Sequence, residues 1–509
     1  MAAPGSYSAV PVFLALAFAV SLSRRACGQW EEAHLVTSLP GQPAVGFRHY
    51  AGYVAAGTGE QKALFYWFFE AEEGEEKKPL VLWLNGVANL LFLEAPVGVG
   101  FSYTNRSADL EELGDRVTAQ DSHAFLLNWF KLFPRFKSHD FYITGESYAG
   151  HYVPQLANLI YLGNKGATKD SYINFKGFMI GNAVINDETD QLGMVDYAWS
   201  HAIISDRLYH AVRRSCADFN ATTTGNACSS AVKAFMEAYN DIDIYSIYTP
   251  VCLSSLSQRT NTRKNVQIKK LAVAPRMFAE HDLWHSRPSL PRAGYDPCTE
   301  DYVEKYFNRE DVQKALHANL TKLRYPYTPC RSVFSLILFL DLPDLQDTQM
   351  LYDIPSFLVQ AGFPPPLTVV GTCMSPHVLR TGLSSLSFHV CRSGVIEKWN
   401  DSPSTVLPII RKLINAGLRI WIYSGDTDGR VPVTSTRYSV NAMGLTVKEE
   451  WRAWYHKKQV AGWVVEYWEG LTLATLRGAG HQVPAFAPDR SLSLLSHFLD
   501  GRPLPSSRR

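Results

Sequence analysis

The sequence predicts an α/β fold: a mainly parallel sheet with helices on both faces and an inserted cap subdomain. Short apolar runs bounded by turn residues alternate with helical patterns at both ends of the chain, the pattern of a covered parallel sheet. That alternation lapses between residues 194 and 319, where four cysteines gather. The composition supplies the core, since 46% of the 509 residues are hydrophobic and 19% charged, which excludes an intrinsically disordered chain. Lys plus Arg number 49 against 48 Asp plus Glu, a net charge of +1. So even a balance argues against a nucleic-acid partner or an acidic interaction tail.

At the N-terminus, the apolar run Val10–Leu22 precedes Arg24, Arg25 and the small-residue stretch Ala26-Cys27-Gly28. It is shorter than the ~20 residues a membrane span needs and fits the core of a secretory signal over residues 1–28. No later segment, Val333–Leu340 included, has the length of a span, so no membrane association is expected. Sequons at Asn105, Asn220, Asn319 and Asn400 are compatible with the secretory pathway, ending outside the cell or in a vacuole or lysosome. Asn400 precedes Asp-Ser-Pro, a context that hinders glycosylation. Of eight cysteines, cleavage near Gly28 removes Cys27 and leaves an odd number, so one thiol is free or pairs with another molecule. None of their spacings is that of a zinc site, and no metal or cofactor is expected.

The first part of the core, residues 29–193, contains continuous apolar runs at Ala63–Phe69, Leu80–Leu84, Asn89–Leu93, Phe141–Thr144 and Phe175–Ile180. Strands buried on both faces read this way because neither side chain direction meets water. Thr118–Phe133 and Tyr148–Leu162 carry helical patterns between them. The cap spans 194–319, and within it the polar, basic stretch 253–292 reads as an exposed, protease-sensitive loop. The second part, 320–509, adds strands at Arg419–Tyr423 and Leu471–Leu476 and a helix at Val406–Ala416.

The candidate chemistry sits at strand ends. Phe141–Thr144 runs into Gly145-Glu146-Ser147-Tyr148-Ala149-Gly150 and then a helix. A serine on a sharp strand-to-helix turn needs small neighbours two positions away, because that turn brings backbones together. Gly145 and Ala149 are small. A hydroxyl is a poor nucleophile until a base, oriented by a carboxylate, takes its proton. In α/β hydrolases these groups follow in the order Ser, Asp or Glu, His. Here one strand ends in Ser424-Gly425-Asp426-Thr427-Asp428-Gly429-Arg430-Val431-Pro432 and the next in Arg477-Gly478-Ala479-Gly480-His481-Gln482-Val483-Pro484. Either Asp426 or Asp428 could orient His481, or merely cap a turn.

These motifs, with Pro96–Tyr103 (PVGVGFSY), Gly181-Asn182-Ala183 and His151-Tyr152-Val153-Pro154, resemble the serine carboxypeptidases. The chain looks most like the plant carboxypeptidase II branch, related to cathepsin A, from about Val36 to Leu504. The resemblance implies an α/β-hydrolase fold and release of C-terminal amino acids from peptides with a free C-terminus. It also leaves a homodimer open. It makes Ser147 the nucleophile, His481 the general base and acid, and Asp428, three residues before Val431, the orienting carboxylate. Asn85 and Glu146 match the residues that hold the substrate carboxylate, while Gly86 and the Tyr148 N–H match the oxyanion site. A Glu binds a carboxylate only when protonated, so activity is expected at acidic pH. Cys216 with Cys228, and Cys252 with Cys298, match family disulfides, and the basic loop matches the excised linker of two-chain members.

The sequence departs from that family twice. Asn85-Gly86 runs directly into Val87-Ala88, where the family carries G-G-P-G-C-S-S and a few dozen further residues. The lost stretch holds the second oxyanion-hole glycine, another carboxylate-binding Glu and a cysteine. Conversely, about 60 residues (331–390) separate Cys330 from Cys391, where the family has almost none. A retained intron, or an error in the gene model, accounts for both more simply than a new function does. The alternatives to an acid carboxypeptidase are an acyltransferase of the same fold and a catalytically dead secreted homologue.

Overall fold

The structure, a computed structural model, describes residues 31–57, 61–82, 88–216, 225–252, 296–323, 326–328 and 399–508. The signal segment 1–28, the linker 253–292, the insertion 331–390, Asn85, Gly86, Asn220, Cys330 and Cys391 lie outside them.

Among the described residues eleven strands form one sheet: β1 (His49–Ala56), β2 (Lys62–Phe69), β3 (Leu80–Leu82), β4 (Asn89–Leu93), β5 (Tyr103–Thr104), β6 (Phe141–Glu146), β7 (Phe175–Gly181), β8 (Arg419–Gly425), β9 (Val447–His456), β10 (Gln459–Tyr467) and β11 (Leu471–Leu476). Their order is β1-β2-β4-β3-β6-β7-β8-β11-β10-β9, with β5 beside β2. From β4 to β11 every pairing is parallel. Antiparallel pairs flank this centre, β1 and β2 on one side and β10 and β9 on the other. The continuous apolar runs are the parallel strands and β2, which is antiparallel to its neighbours. β1, β9 and β10 do not show such runs: β9 is VKEEWRAWYH and half-exposed, its charges protecting an open edge.

Alternation along each strand divides the core. Leu80, Leu82, Phe141, Ile143, Phe178, Ile180, Ile420 and Ile422 face one side. Val81, Tyr142, Met179, Trp421 and Tyr423 face the other, as a period of two requires. The first face is covered by α1 (Asp115–Leu132), α2 (Ala149–Asn164) and, later in the chain, a helix at Leu407–Asn415. There the aromatic knot of Phe68, Trp129 and Phe133 is fully buried, with Trp129 and Phe133 stacked at 4.7 Å. The second face is covered by the C-terminal helix Pro488–Asp500, through Leu494, Leu495 and Phe498.

After β7 comes α3 (Asp187–Ser200), then α4 (Asp206–Ser215) and α5 (Asn226–Glu237). Met194, Val212, Phe235, Tyr239, Ile244 and neighbours form a hydrophobic cluster of their own. The boundary read at 194 falls inside α3. Disulfides join Cys216 to Cys228 and Cys252 to Cys298, the second bridge leading into α6 (Thr299–Phe307). No helix among the described residues is long and apolar enough to cross a membrane.

Candidate active site

β6, β7, β8 and β11 are parallel neighbours, so their carboxyl ends lie along one edge of the sheet, where such folds place functional groups. β6 ends at Glu146 and α2 starts at Ala149, leaving Ser147 and Tyr148 to make the turn. Ser147 takes φ 62°, a left-handed conformation costing ~1–3 kcal/mol in a non-glycine residue. The surroundings enforce it: Ser147 N–H donates to Gly181 O at 3.0 Å, and its carbonyl accepts from Val184 N at 3.0 Å. A Cβ on Gly145 would lie 2.5 Å from that of Ala149, and one on Gly150 would lie 2.1 Å from Val184 O. The elbow therefore needs the small residues that the sequence supplies.

Of the two aspartates after β8, Asp428 meets the histidine. His481 Nδ1 and Asp428 Oδ2 are 2.6 Å apart, and the Asp428 side chain is fully buried. An ionised carboxylate only accepts, so Nδ1 carries the proton and Nε2 is left as the acceptor. Arg430 N and Val431 N donate to Asp428 at 2.7 and 3.2 Å. Asp426 instead accepts from Gly478 N and braces the turn after β11.

Asn182, in the sequence motif but without a role assigned there, completes this arrangement. It is fully buried with φ 39°. Its Nδ2 donates to Asp428 Oδ2 at 2.9 Å and to Val431 O at 3.2 Å, while its Oδ1 accepts from Gly425 N at 2.9 Å. One amide thus ties the end of β7 to the aspartate turn.

Glu146 is likewise locked in place. Its Oε1 accepts from Tyr423 OH and from Val483 N, both at 3.1 Å, which joins the elbow to the histidine loop. Burial drives its pKa up to about 8, with the Asp428 charge adding to the rise and the two donors opposing it. Tyr148 opens α2, so its amide belongs to the first turn, which lacks intrahelical acceptors. Its hydroxyl donates to Asp115 Oδ1 at 3.0 Å and lies 2.6 Å from Ser402 Oγ. Asp115, almost fully buried, also takes His151 Nδ1, Gln155 Nε2 and Trp399 Nε1 at 2.9, 2.7 and 3.0 Å.

A cavity of about 480 Å³ adjoins the elbow, running from Gly145, Glu146 and Ala149 past Ile143 and Leu91 to Leu82, the last described residue of β3. Among the described sequons, Asn105 is exposed. Asn319 is half-buried, its amide donating to Gln313 Oε1 at 2.9 Å. Asn400 donates to Glu111 O at 2.5 Å.

Comparison with known proteins places this geometry. A family model described as serine carboxypeptidase matches residues 40–86, 87–360 and 377–501. One break in that match falls at the join of Gly86 and Val87. The chain is 53% identical over 517 residues to serine carboxypeptidase-like 35 of Arabidopsis thaliana, covering 94% of this chain and 93% of that one. It is 43% identical over 518 residues to serine carboxypeptidase-like 34 of the same plant, covering 94% and 90%. The crystal structure of Kex1, a prohormone-processing carboxypeptidase from Saccharomyces cerevisiae, superposes with a TM-score of 0.61 at 17% identity, covering 92% of this chain and 96% of that one. The fold is that of an α/β hydrolase.

Tyr423→Phe removes a hydroxyl that favours the Glu146 anion, so this carboxyl should titrate above about 8. Infrared absorption of the protonated carboxyl, followed against pH, should persist to higher pH in Y423F than in the parent. The fold keeps the Glu146 proton well above the 4.5 at which an unfolded chain releases it. Stability from this group is therefore complete below that value and lost as pH rises to about 8, a window that Y423F extends upward.

Proposed function

The chain belongs to the serine carboxypeptidase family, and from that premise we propose that it removes C-terminal amino acids from peptides, with Ser147, Asp428 and His481 as its triad. The observation that carries the reading is the bond between Glu146 and Val483 N, 3.1 Å long. It fastens the residue before the nucleophile to the loop that holds the histidine. His481 Nε2 takes the Ser147 proton as Oγ attacks the scissile carbonyl, and Asp428 holds the imidazole and stabilises its cation. The Tyr148 N–H serves the oxyanion, a task that the family motif also gives to Gly86. The acyl-enzyme is then released to water, with His481 returning its proton first to the leaving amine.

An exopeptidase must also bind a free carboxylate. Glu146 does so as a neutral acid, a task that the family motif also gives to Asn85. With its pKa raised to about 8, Glu146 is already neutral at pH 7. This carboxyl thus sets an upper limit to the working pH range and is no obstacle at acidic pH. The two disulfides fit an oxidising compartment and, with the Val10–Leu22 run, support entry to the secretory pathway and residence outside the cell or in a vacuole. Asn105 and Asn400 are both exposed, but the Asn400 amide is engaged by Glu111 O, which leaves Asn105 the better sequon for a glycan.

The missing loop after Gly86 lowers turnover. Loss of one oxyanion donor costs ~10²–10³ in kcat.

A fluorophosphonate should label Ser147 in the folded chain, and peptides should lose C-terminal residues in preference to transferring an acyl group to an added alcohol. Labelling elsewhere, or transfer dominating hydrolysis, would overturn the reading. Peptidase kcat/KM should decline as pH approaches and passes about 8, through KM, while ester hydrolysis persists. Glu146→Gln should flatten that limb, and equal decline of both activities would remove Glu146 from carboxylate binding. Restoring the family's loop and deleting 331–390 should raise kcat on the order of 10²–10³ and the thermal midpoint together. Equal rates in the parent would show the loop dispensable.

A further inference from the structure

The cap reaches the catalytic edge through segment 243–249, which follows the buried Tyr239. Its backbone is bonded to both turns that carry the Asp428–His481 pair. Gly429 N donates to Ile244 O at 2.8 Å, and Ile247 N donates to Thr427 O at 3.0 Å, one bond on each side of Asp428. His481 N donates to Tyr245 O at 2.7 Å. Ser246 is buried, its Oγ 3.3 Å from Thr427 Oγ1. The approach is close at the two glycines of the opposing loops. A Cβ on Gly480 would stand 2.6 Å from Tyr245 O, and one on Gly429 would stand 3.1 Å from Ile244 O.

Three backbone bonds to two separate loops fix the distance between those loops more firmly than the side-chain pair alone can. A His–Asp bond tolerates little displacement, because misplacing a catalytic group by about an ångström costs on the order of a hundredfold in rate. The segment is itself held downstream. Cys252 bridges to Cys298, and Cys298 caps α6, whose Tyr306 hydroxyl donates to Pro40 O at 2.7 Å. The bridge thus connects the segment to the opposite flank of the molecule. It also joins the two sides of 253–292, so a cut there leaves the segment tethered.

Resting on the assignment of Asp428 and His481 to the triad, we propose that segment 243–249 is a positioning strap for that pair. The Cys252–Cys298 bridge keeps it seated, so that opening the bridge lowers kcat and spares KM.

The test compares the full chain with a Cys252→Ser, Cys298→Ser variant and with a Cys216→Ser, Cys228→Ser control that loses the other cap bridge. Hydrogen exchange should quicken at least tenfold at the Gly429 and His481 amides in the first variant, with β6 and β7 unchanged and the control like the parent. Fluorophosphonate labelling of Ser147 should slow at least tenfold, and KM for an ester should stay within twofold. Unchanged exchange at those two amides, or the same increase in the control, would overturn the proposal. Should the first variant fail to fold, graded reduction and thiol blocking of the folded parent gives the same comparison. If the parent itself is not labelled at Ser147, the triad assignment fails, and the exchange data still decide whether the strap holds the loops.

Discussion

The parallel register across β6, β7, β8 and β11 is the constraint on which the candidate active edge depends. Glu146 lies opposite Gly181, Gly181 opposite Tyr423, and Leu476 opposite Gly425, so four turns leave the sheet at one level. Close packing enforces that register. A side chain on Gly177 would lie 2.0 Å from Arg419 O, and one on Gly181 would lie 2.1 Å from the Tyr423 ring. A shift by one residue would turn each strand's inward set outward, separating Asn182 from Asp428 and Tyr423 from Glu146.

Electrostatics follows from this packing. Burial at the strand ends places Glu146 near the charge of Asp428, and both disfavour a second anion there. The site resolves the conflict by giving the two carboxyls different environments. Asp428 receives donors from Asn182, Arg430 N, Val431 N and His481, which suit an anion. Glu146 has Tyr423 and Val483 N, too few to offset its burial. One carboxylate can therefore orient a histidine while its neighbour stays a hydrogen-bond donor, a division set by surroundings and not by residue type.

How much of this was legible in the sequence depended on how local each signal was. β4 and β11 were read with the bounds they have, because doubly buried strands are unbroken apolar runs. β9 was missed, since a half-exposed antiparallel edge mixes charges with aromatics, and β10 because Gln459, Gly462 and Glu466 interrupt its apolar run. The serine turn was recognisable from Gly145 and Ala149, whose contact is four residues apart. The choice between Asp426 and Asp428 came from a resemblance; its physical reason is that only Asp428 lies under Asn182 and within reach of His481. Asn182 itself could not be read, because its partner is 246 residues away. The strap was invisible for the same reason, its contacts running through backbone atoms that no side-chain pattern records.

The cap is thereby more than a cover over the sheet. Its hydrophobic cluster includes Tyr239, Ile244 and Ile247, so the strap is anchored by cap packing before it touches Thr427, Gly429 and His481. Tyr197, on α3, donates its hydroxyl to Asp426 O at 2.8 Å, and Thr434 Oγ1 donates to Gly193 O at 2.6 Å. The aspartate turn is consequently held by β7 through Asn182 on one side and by the cap on the other. A turn pinned from two packed units keeps its geometry only while both are folded. The Cys252–Cys298 bridge matters to the site for that reason, since it closes the segment that packs against that turn.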